Sequence, residues 1–239
     1  MKLVKLALVC VAFSLSSCSP QQFQEVLGSV LENGALTDGE VSSGLKQALE
    51  IGIGKGSDQL SALDGYFKSP YKILLPPEAR KVTDRLQKVP GFSQVENILL
   101  EKINRGAEDA AKKAKPIFVD AIKQMTFEDA MTILLGADNA ATSYLNNKTN
   151  AQLYNAFNPV IVNSLDKFQA RKYWKDAVTA YNKIPFIQKA DPSLDNYVTT
   201  QALKGLFSMV EKEEVNIRKN VSARTSDLLK KVFAKQDNK

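Results

Sequence analysis

The sequence predicts an all-α fold: a single multi-helix domain behind an N-terminal lipoprotein signal, with at most one short strand or hairpin. Three observations carry that expectation. Apolar residues recur at three- and four-residue steps, helix-start and helix-stop chemistry brackets those stretches, and no segment alternates apolar and polar residues over a strand's length. No repeat of solenoid length accompanies them.

Residues 1–17 read as a cleaved signal. Lys2 and Lys5 give it a positive start, residues 6–15 are apolar, and Leu15-Ser16-Ser17-Cys18 has the pattern of a lipoprotein cleavage site. The apolar stretch falls short of the roughly 20 residues that span a bilayer. Cleavage would leave Cys18 as an acylated first residue. A diacylglycerol plus an N-acyl chain buries on the order of dozens of methylenes at about 0.8 kcal/mol each, an effectively permanent anchor. Ser19 stands where an aspartate would retain the protein in the inner membrane, so a bacterial outer-membrane location facing the periplasm is expected. Residues 18–38 then form a tether and first helix, and residues 39–239 the helical domain, within which 39–89 could stand as an N-terminal subdomain.

Val41, Leu45, Ala48, Gly52 and Leu60 fall near one face of the first domain helix. Asp64-Gly65-Tyr66-Phe67-Lys68-Ser69-Pro70 reads as a packed connector into the extended-looking run 71–75, the one place for a short strand. Pro76-Pro77 opens a second helix with Ala79, Val82, Leu86 and Val89 inward. Beyond Pro90-Gly91, the series Val95, Ile98, Leu99, Ile103, Ala107, Ala110 and Ala114 predicts one long helix reaching Lys115-Pro116. Its small residues, Gly106 among them, let a neighbour approach closely and mark it as central. Glu101/Arg105, Glu108/Lys112 and Asp109/Lys113 place acids four residues before bases on edges expected to face water.

Thr126-Phe127-Glu128-Asp129 resembles a capping box, with its helix stopping at Gly136 in the left-handed conformation. Thr149-Asn150-Ala151-Gln152 looks like another start, and Pro159 like a break or kink. A loop bracketed by Lys183-Ile184-Pro185-Phe186 and Asp191-Pro192 precedes a long helix over about 195–219 and a shorter one over about 222–234.

Cysteine and histidine usage narrows the chemistry. Cys10 lies in the signal and Cys18 carries the lipid, so no thiol remains for a disulfide, a metal or a nucleophile. The chain has no histidine, which removes the usual general base, the commonest metal ligand and every Ser-His or Cys-His arrangement. No cofactor is expected. Loss of Lys2 and Lys5 with the signal leaves 30 basic against 26 acidic residues, a balance of +4 in place of +6. That spread-out excess is too weak for a nucleic-acid partner.

Other motifs fail on detail. Gly52-Ile53-Gly54-Lys55-Gly56 lacks the glycine spacing and the hydroxyl residue of a phosphate loop, so close helix packing explains it. Ser-x-x-Lys at Ser43/Lys46, Ser69/Lys72 and Ser164/Lys167 comes without companion elements. Glu211, Glu213 and Glu214 are expected on a solvated face, Glu214 pairing with Arg218. The remaining candidates for a polar pocket or buried network are Asn104, Glu108, Asp138, Thr142 and Tyr144, with Arg218 and Arg224 as anion-binding groups. Aromatics near loops, Tyr66, Phe67, Tyr71, Tyr181 and Phe186, belong to the core or to a ligand groove.

A set of ordered blocks resembles a known family. Tyr71-Lys72-Ile73-Leu74-Leu75-Pro76, Asn104-Arg105-Gly106-Ala107-Glu108, Ala114-Lys115-Pro116-Ile117-Phe118, Ala140-Ala141-Thr142-Ser143-Tyr144 and Leu194-Asp195-Asn196-Tyr197-Val198 are followed by Ala202-Leu203-Lys204-Gly205-Leu206-Phe207 and Arg224-Thr225-Ser226-Asp227. Together they are similar to the bacterial lipoprotein family catalogued as domain of unknown function 4197, from about Leu45 onward. The resemblance implies a helical envelope domain and transfers no catalytic residue. Gly106 departs from an alanine in that pattern, and Asn220-Val221 from a polar residue followed by proline.

Two functions compete on these grounds, beside a purely structural spacer, which predicts a filled core and no sizeable cavity. One is a non-enzymatic outer-membrane lipoprotein whose domain binds an envelope partner or a small apolar ligand. The other is a histidine-free hydrolase or transferase using Asp, Glu, Tyr and Arg. The enzyme needs Asn104, Glu108, Asp138, Tyr144, Arg218 and Arg224 around one open cleft, whereas the binding module leaves them in separate or sealed pairs.

Overall fold

Asp38 and Glu40 set acids at the positive end of a helix dipole, and the first helix of the domain, α1, runs Asp38–Ser61. This is a computed structural model, and it describes residues 37–167, 169–190 and 193–234. Cys18, its signal and most of the tether lie outside them. The fold is all-α: no strand occurs among the described residues. Residues 72–76 belong to neither helix nor strand.

Pro77 at the first helical position begins α2, Pro77–Leu86. The long helix expected to reach Pro116 is instead two, α3 (Val95–Ala111) and α4 (Ala114–Lys123), joined through a tight turn in which the Lys113 N–H donates to the Ala110 carbonyl at 2.9 Å. Pro116 accounts for the break, because an unbroken helix would drive its ring into the Lys112 carbonyl; in the first turn of α4 its missing N–H costs nothing.

The helix α5, Phe127–Leu135, opens on the expected capping box, with Thr126 and Asp129 exchanging side-chain and backbone bonds. Its end differs from expectation. Gly136 has φ −75° and ψ −168°, an extended conformation open to any residue. A Cβ there would lie 2.8 Å from both the Ala140 Cβ and the Thr132 carbonyl oxygen, so crowding selects glycine.

Thr149 and Pro159 both fall inside one helix, α6, Ala140–Lys167. The expected start at Thr149 is overridden because its hydroxyl donates to the Leu145 carbonyl of its own helix at 2.6 Å, leaving nothing to cap. Then come α7 (Ala170–Asn182), α8 (Asp195–Lys219), a 3₁₀ turn at Val221–Ala223 and α9 (Asp227–Phe233). The last helix starts later than position 222 because Ser226, not Ser222, accepts the Leu229 N–H.

From α1 onward the helices form one compact unit. At its centre α3 packs on α6, with Ala107, Ala110 and Ala111 fully buried and a Cβ on Gly106 falling 3.6 Å from Ser164. The helix α1 lies against α4, α5, α8 and α9. Its glycines serve that packing: a Cβ on Gly56 would come within 2.9 Å of Met209 Cγ on α8.

Candidate functional site

A polar side chain at a helix interface must find its partners within the protein. Asn104 and Glu108 stand one turn apart on α3 and are both buried. The Asn104 amide donates to the carbonyls of Ile73 (2.9 Å) and Leu100 (2.7 Å), and its Oδ1 accepts the Ile73 N–H at 2.8 Å. Glu108 accepts the N–H groups of Tyr66 (3.2 Å) and Phe67 (3.1 Å) on one oxygen and Arg105 at 2.8 Å on the other.

Arg105 also donates to Asp64 at 2.8 Å and lies 5.2 Å from the Phe67 ring centroid. Hydrogen bonds from Lys68 and Arg105 hold the Asp64 carboxyl below the usual carboxylate range. Burial opposes the Arg105 charge, but the bonds to Glu108 and Asp64 outweigh it and raise its pKa. Tyr66 is fully buried and donates to the Ala202 carbonyl at 2.7 Å. Burial, then the Glu108 charge, push its hydroxyl far above the ordinary tyrosine value, so it stays a donor. This first cluster fastens the connector 64–73 to α3 and α8.

Helix ends dictate the second cluster, since the first N–H groups and last carbonyls of each helix lack partners. Glu214 on α8 accepts the N–H groups of Ala141 (2.9 Å) and Thr142 (2.8 Å) and the Thr142 hydroxyl (2.8 Å), all at the start of α6. Arg218, one turn along, donates to Glu214 at 2.8 Å and to the Ile133 (2.7 Å) and Leu134 (3.2 Å) carbonyls ending α5. The anion sits at a positive helix pole and the cation at a negative one. Arg224 closes α8 in the same way, donating to the carbonyls of Ile217 (3.0 Å) and Arg218 (2.8 Å) beneath the Phe233 ring.

Two expectations are corrected here. Glu213 and Glu214 are buried, not solvated, because the α8 face that carries them meets α1 and α6. Glu108 is likewise buried, and pairs with Arg105, not Lys112; Lys112 pairs with Asp109 at 2.8 Å instead. The remaining candidates stay apart at the surface. Asp138 pairs with Lys219 at 2.6 Å, a bond that holds its carboxyl below the usual range. Tyr144 donates to Asp129 at 3.3 Å, and burial followed by the Asp129 charge raises its pKa.

Two open grooves lie elsewhere among the described residues. A groove of about 600 Å³ runs between α2, α7, residues 186–190 and the first turn of α8. Ala79, Trp174, Tyr181 and Tyr197 give it an aromatic and apolar lining, and Lys81 and Arg85 stand along its α2 wall. Phe186 is fully exposed at the rim, with φ at +60°. A second groove of about 540 Å³ between α6 and α8 is lined by Asn139, Asn146 and Asn150 over Leu203 and Phe207, and it includes Thr142; the other six sequence candidates line neither groove. Among the described residues no group of three or more acidic side chains is placed to hold a metal ion, and no helix is long and apolar enough to cross a membrane.

The family described as Protein of unknown function (DUF4197) matches residues 35–234. This chain belongs to that family. No curated protein and no solved structure matches it. Within this DUF4197 domain the resembling blocks are largely fastenings: Asn104 to Glu108 pins the connector, and the α6 start receives Glu214. Sequence reasoning missed Lys81, Arg85, Trp174 and Tyr197 as neighbours in one groove. The available signal was the i, i+4 spacing of Lys81 and Arg85, which puts both cations on one helix face.

Proposed function

We propose that this DUF4197 chain is a non-enzymatic lipoprotein, anchored to the bacterial outer membrane through acylated Cys18, whose helical domain holds a small, largely apolar ligand. One observation carries the reading: the candidate polar groups Asn104, Glu108, Arg218 and Arg224 are consumed as helix caps and loop pins, while an open groove elsewhere has Trp174, Tyr181, Phe186 and Tyr197 in its lining. Asn104 and Glu108 serve α3 and the connector; Arg218 and Arg224 serve helix ends. A hydrolase or transferase built on these residues would need them around one cleft, and they occupy separate places.

The test is native mass spectrometry on the chain carrying Cys18→Ser, exported under a cleavable secretory signal in place of residues 1–17, compared before and after denaturation. A reproducible extra mass lost on unfolding is the expected result. The wild-type chain, extracted from outer membranes, is expected to lack residues 1–17 and to carry acyl chains on its first residue. A soluble wild-type chain with no acyl mass would overturn the anchor, and a clean apo mass would overturn the ligand.

A further inference from the structure

We infer that the groove between α2 and α7 binds a single-chain anionic amphiphile, an acyl body lying on Trp174 and Tyr181 with its acidic head against Lys81 and Arg85. The inference rests on the ligand-binding reading above and names its chemical class.

Size comes first. A groove of about 600 Å³ falls within the roughly 300–1,000 Å³ of sites that bury a drug-sized molecule. Trp174 and Tyr181 line it from beneath the surface, while the half-buried Tyr197 and the exposed Phe186 leave ring surface open to an apolar body.

Charge selects the head. Lys81 and Arg85 project from one face of α2 and have no salt-bridge or side-chain hydrogen-bond partner among the described residues. Arg105 and Arg218, by contrast, each hold a carboxylate. Among the described residues Glu78 is the single acidic side chain lining the groove, against Lys81, Arg85 and Lys189. A guanidinium with its donors unused is suited to a carboxylate or phosphate.

One further feature marks the mouth as unfinished. Phe186 presents a whole ring to solvent from a left-handed backbone, at the mouth of the same groove. An acyl chain leaving the mouth would cover that ring.

Trp174 is the chain's single tryptophan, so its emission reports the groove without a label. The experiment titrates the same Cys18→Ser chain, freed of residues 1–17, with laurate below its micelle concentration, with dodecyl phosphate and dodecanol as companion probes. Expected are a saturable change in Trp174 emission with both anions, a loss of affinity of about tenfold or more in the Lys81→Gln/Arg85→Gln double variant, and little effect of dodecanol. Binding by laurate but not dodecyl phosphate would assign the head as a carboxylate, and the reverse as a phosphate; either supports the inference. No saturable change, equal binding of dodecanol, or unchanged affinity in the double variant overturns it. So does a response confined to anionic phospholipid vesicles, which would assign the cations to bilayer docking. An endogenous adduct seen by native mass spectrometry alongside a failed laurate titration removes this inference and keeps the binding reading; a clean apo mass with a failed titration removes both.

Discussion

Asn104 holds the backbone of Ile73 at both of its polar atoms, accepting its N–H at 2.8 Å and donating to its carbonyl at 2.9 Å. One side chain on a helix thus does for a connector segment what a neighbouring strand would do, and the segment needs no sheet. Asn104→Ala should leave two buried backbone groups unpaired and cost about 2–4 kcal/mol in urea unfolding. The sharper readout is hydrogen exchange. Protection of the Ile73 amide should fall far more than that of amides in α8, and equal loss throughout would mean the bond does not pin the segment.

Glu214 and Arg218 predict a strongly coupled pair. Removing either partner strands the other charge in the interior, so Glu214→Gln and Arg218→Met should each destabilise by about 3–5 kcal/mol. The double variant should cost well below the sum, with a coupling of about 1.5 kcal/mol or more in a denaturation cycle. Additive losses would show that each residue caps its helix independently.

The helical glycines separate into two kinds. At Gly106 a Cβ would sit 3.6–3.8 Å from Ser164, Leu165 and Ile161, ordinary contact distance. Gly106→Ala should therefore stabilise the domain by roughly 0.5–1 kcal/mol through helix propensity. At Gly44 a Cβ would fall 2.6 Å from Cγ2 of the β-branched Val232, and Gly44→Ala should destabilise by about 1–3 kcal/mol. Thermal melts of the two variants should move in opposite directions.

Acid should unfold the protein through its aspartates. The backbone bond from Thr126 chiefly lowers the Asp129 pKa, and bonds from Lys112 and Ser164 lower that of Asp109. A carboxyl with a depressed folded pKa binds fewer protons folded than unfolded, so stability rises with pH across that interval. The contribution is complete above the ordinary value of 3.8 and disappears as pH falls through the folded values. With no histidine in the chain, melting temperature should stay level from about pH 6 to 8 and drop below about pH 4. A step near pH 6.5, or no loss at pH 3, would contradict this.

Local chemistry made much of the fold legible. Pro77 fixed a helix start and the spacing of apolar residues outlined α1 and α8, since both signals act within a turn or two of the chain. The site was legible in part. Asn104 and Glu108 share a face at i, i+4, which sufficed to group them. Three glutamates within four positions hid Glu214, yet it continues the apolar stripe Leu203, Leu206, Val210 and Ile217 and so sat at an inward position all along. The connector's fastenings were out of reach: Tyr66 bonds Ala202 across 136 residues, and no local pattern encodes such a partner.

The capping of α5 and α6 by α8 also sets an order of events during synthesis. The corner at 133–142 leaves the ribosome first, and the side chains that complete it follow 72 to 85 residues later. Until then the α6 start keeps free N–H groups and the α5 end free carbonyls, neutralised only by water. Closing that corner carries the entropy of a long loop and belongs to the late, slow part of folding. A nascent chain cut short of Arg218 is thus left with an open corner, and a protease would meet it as unfinished rather than as a smaller version of the folded protein.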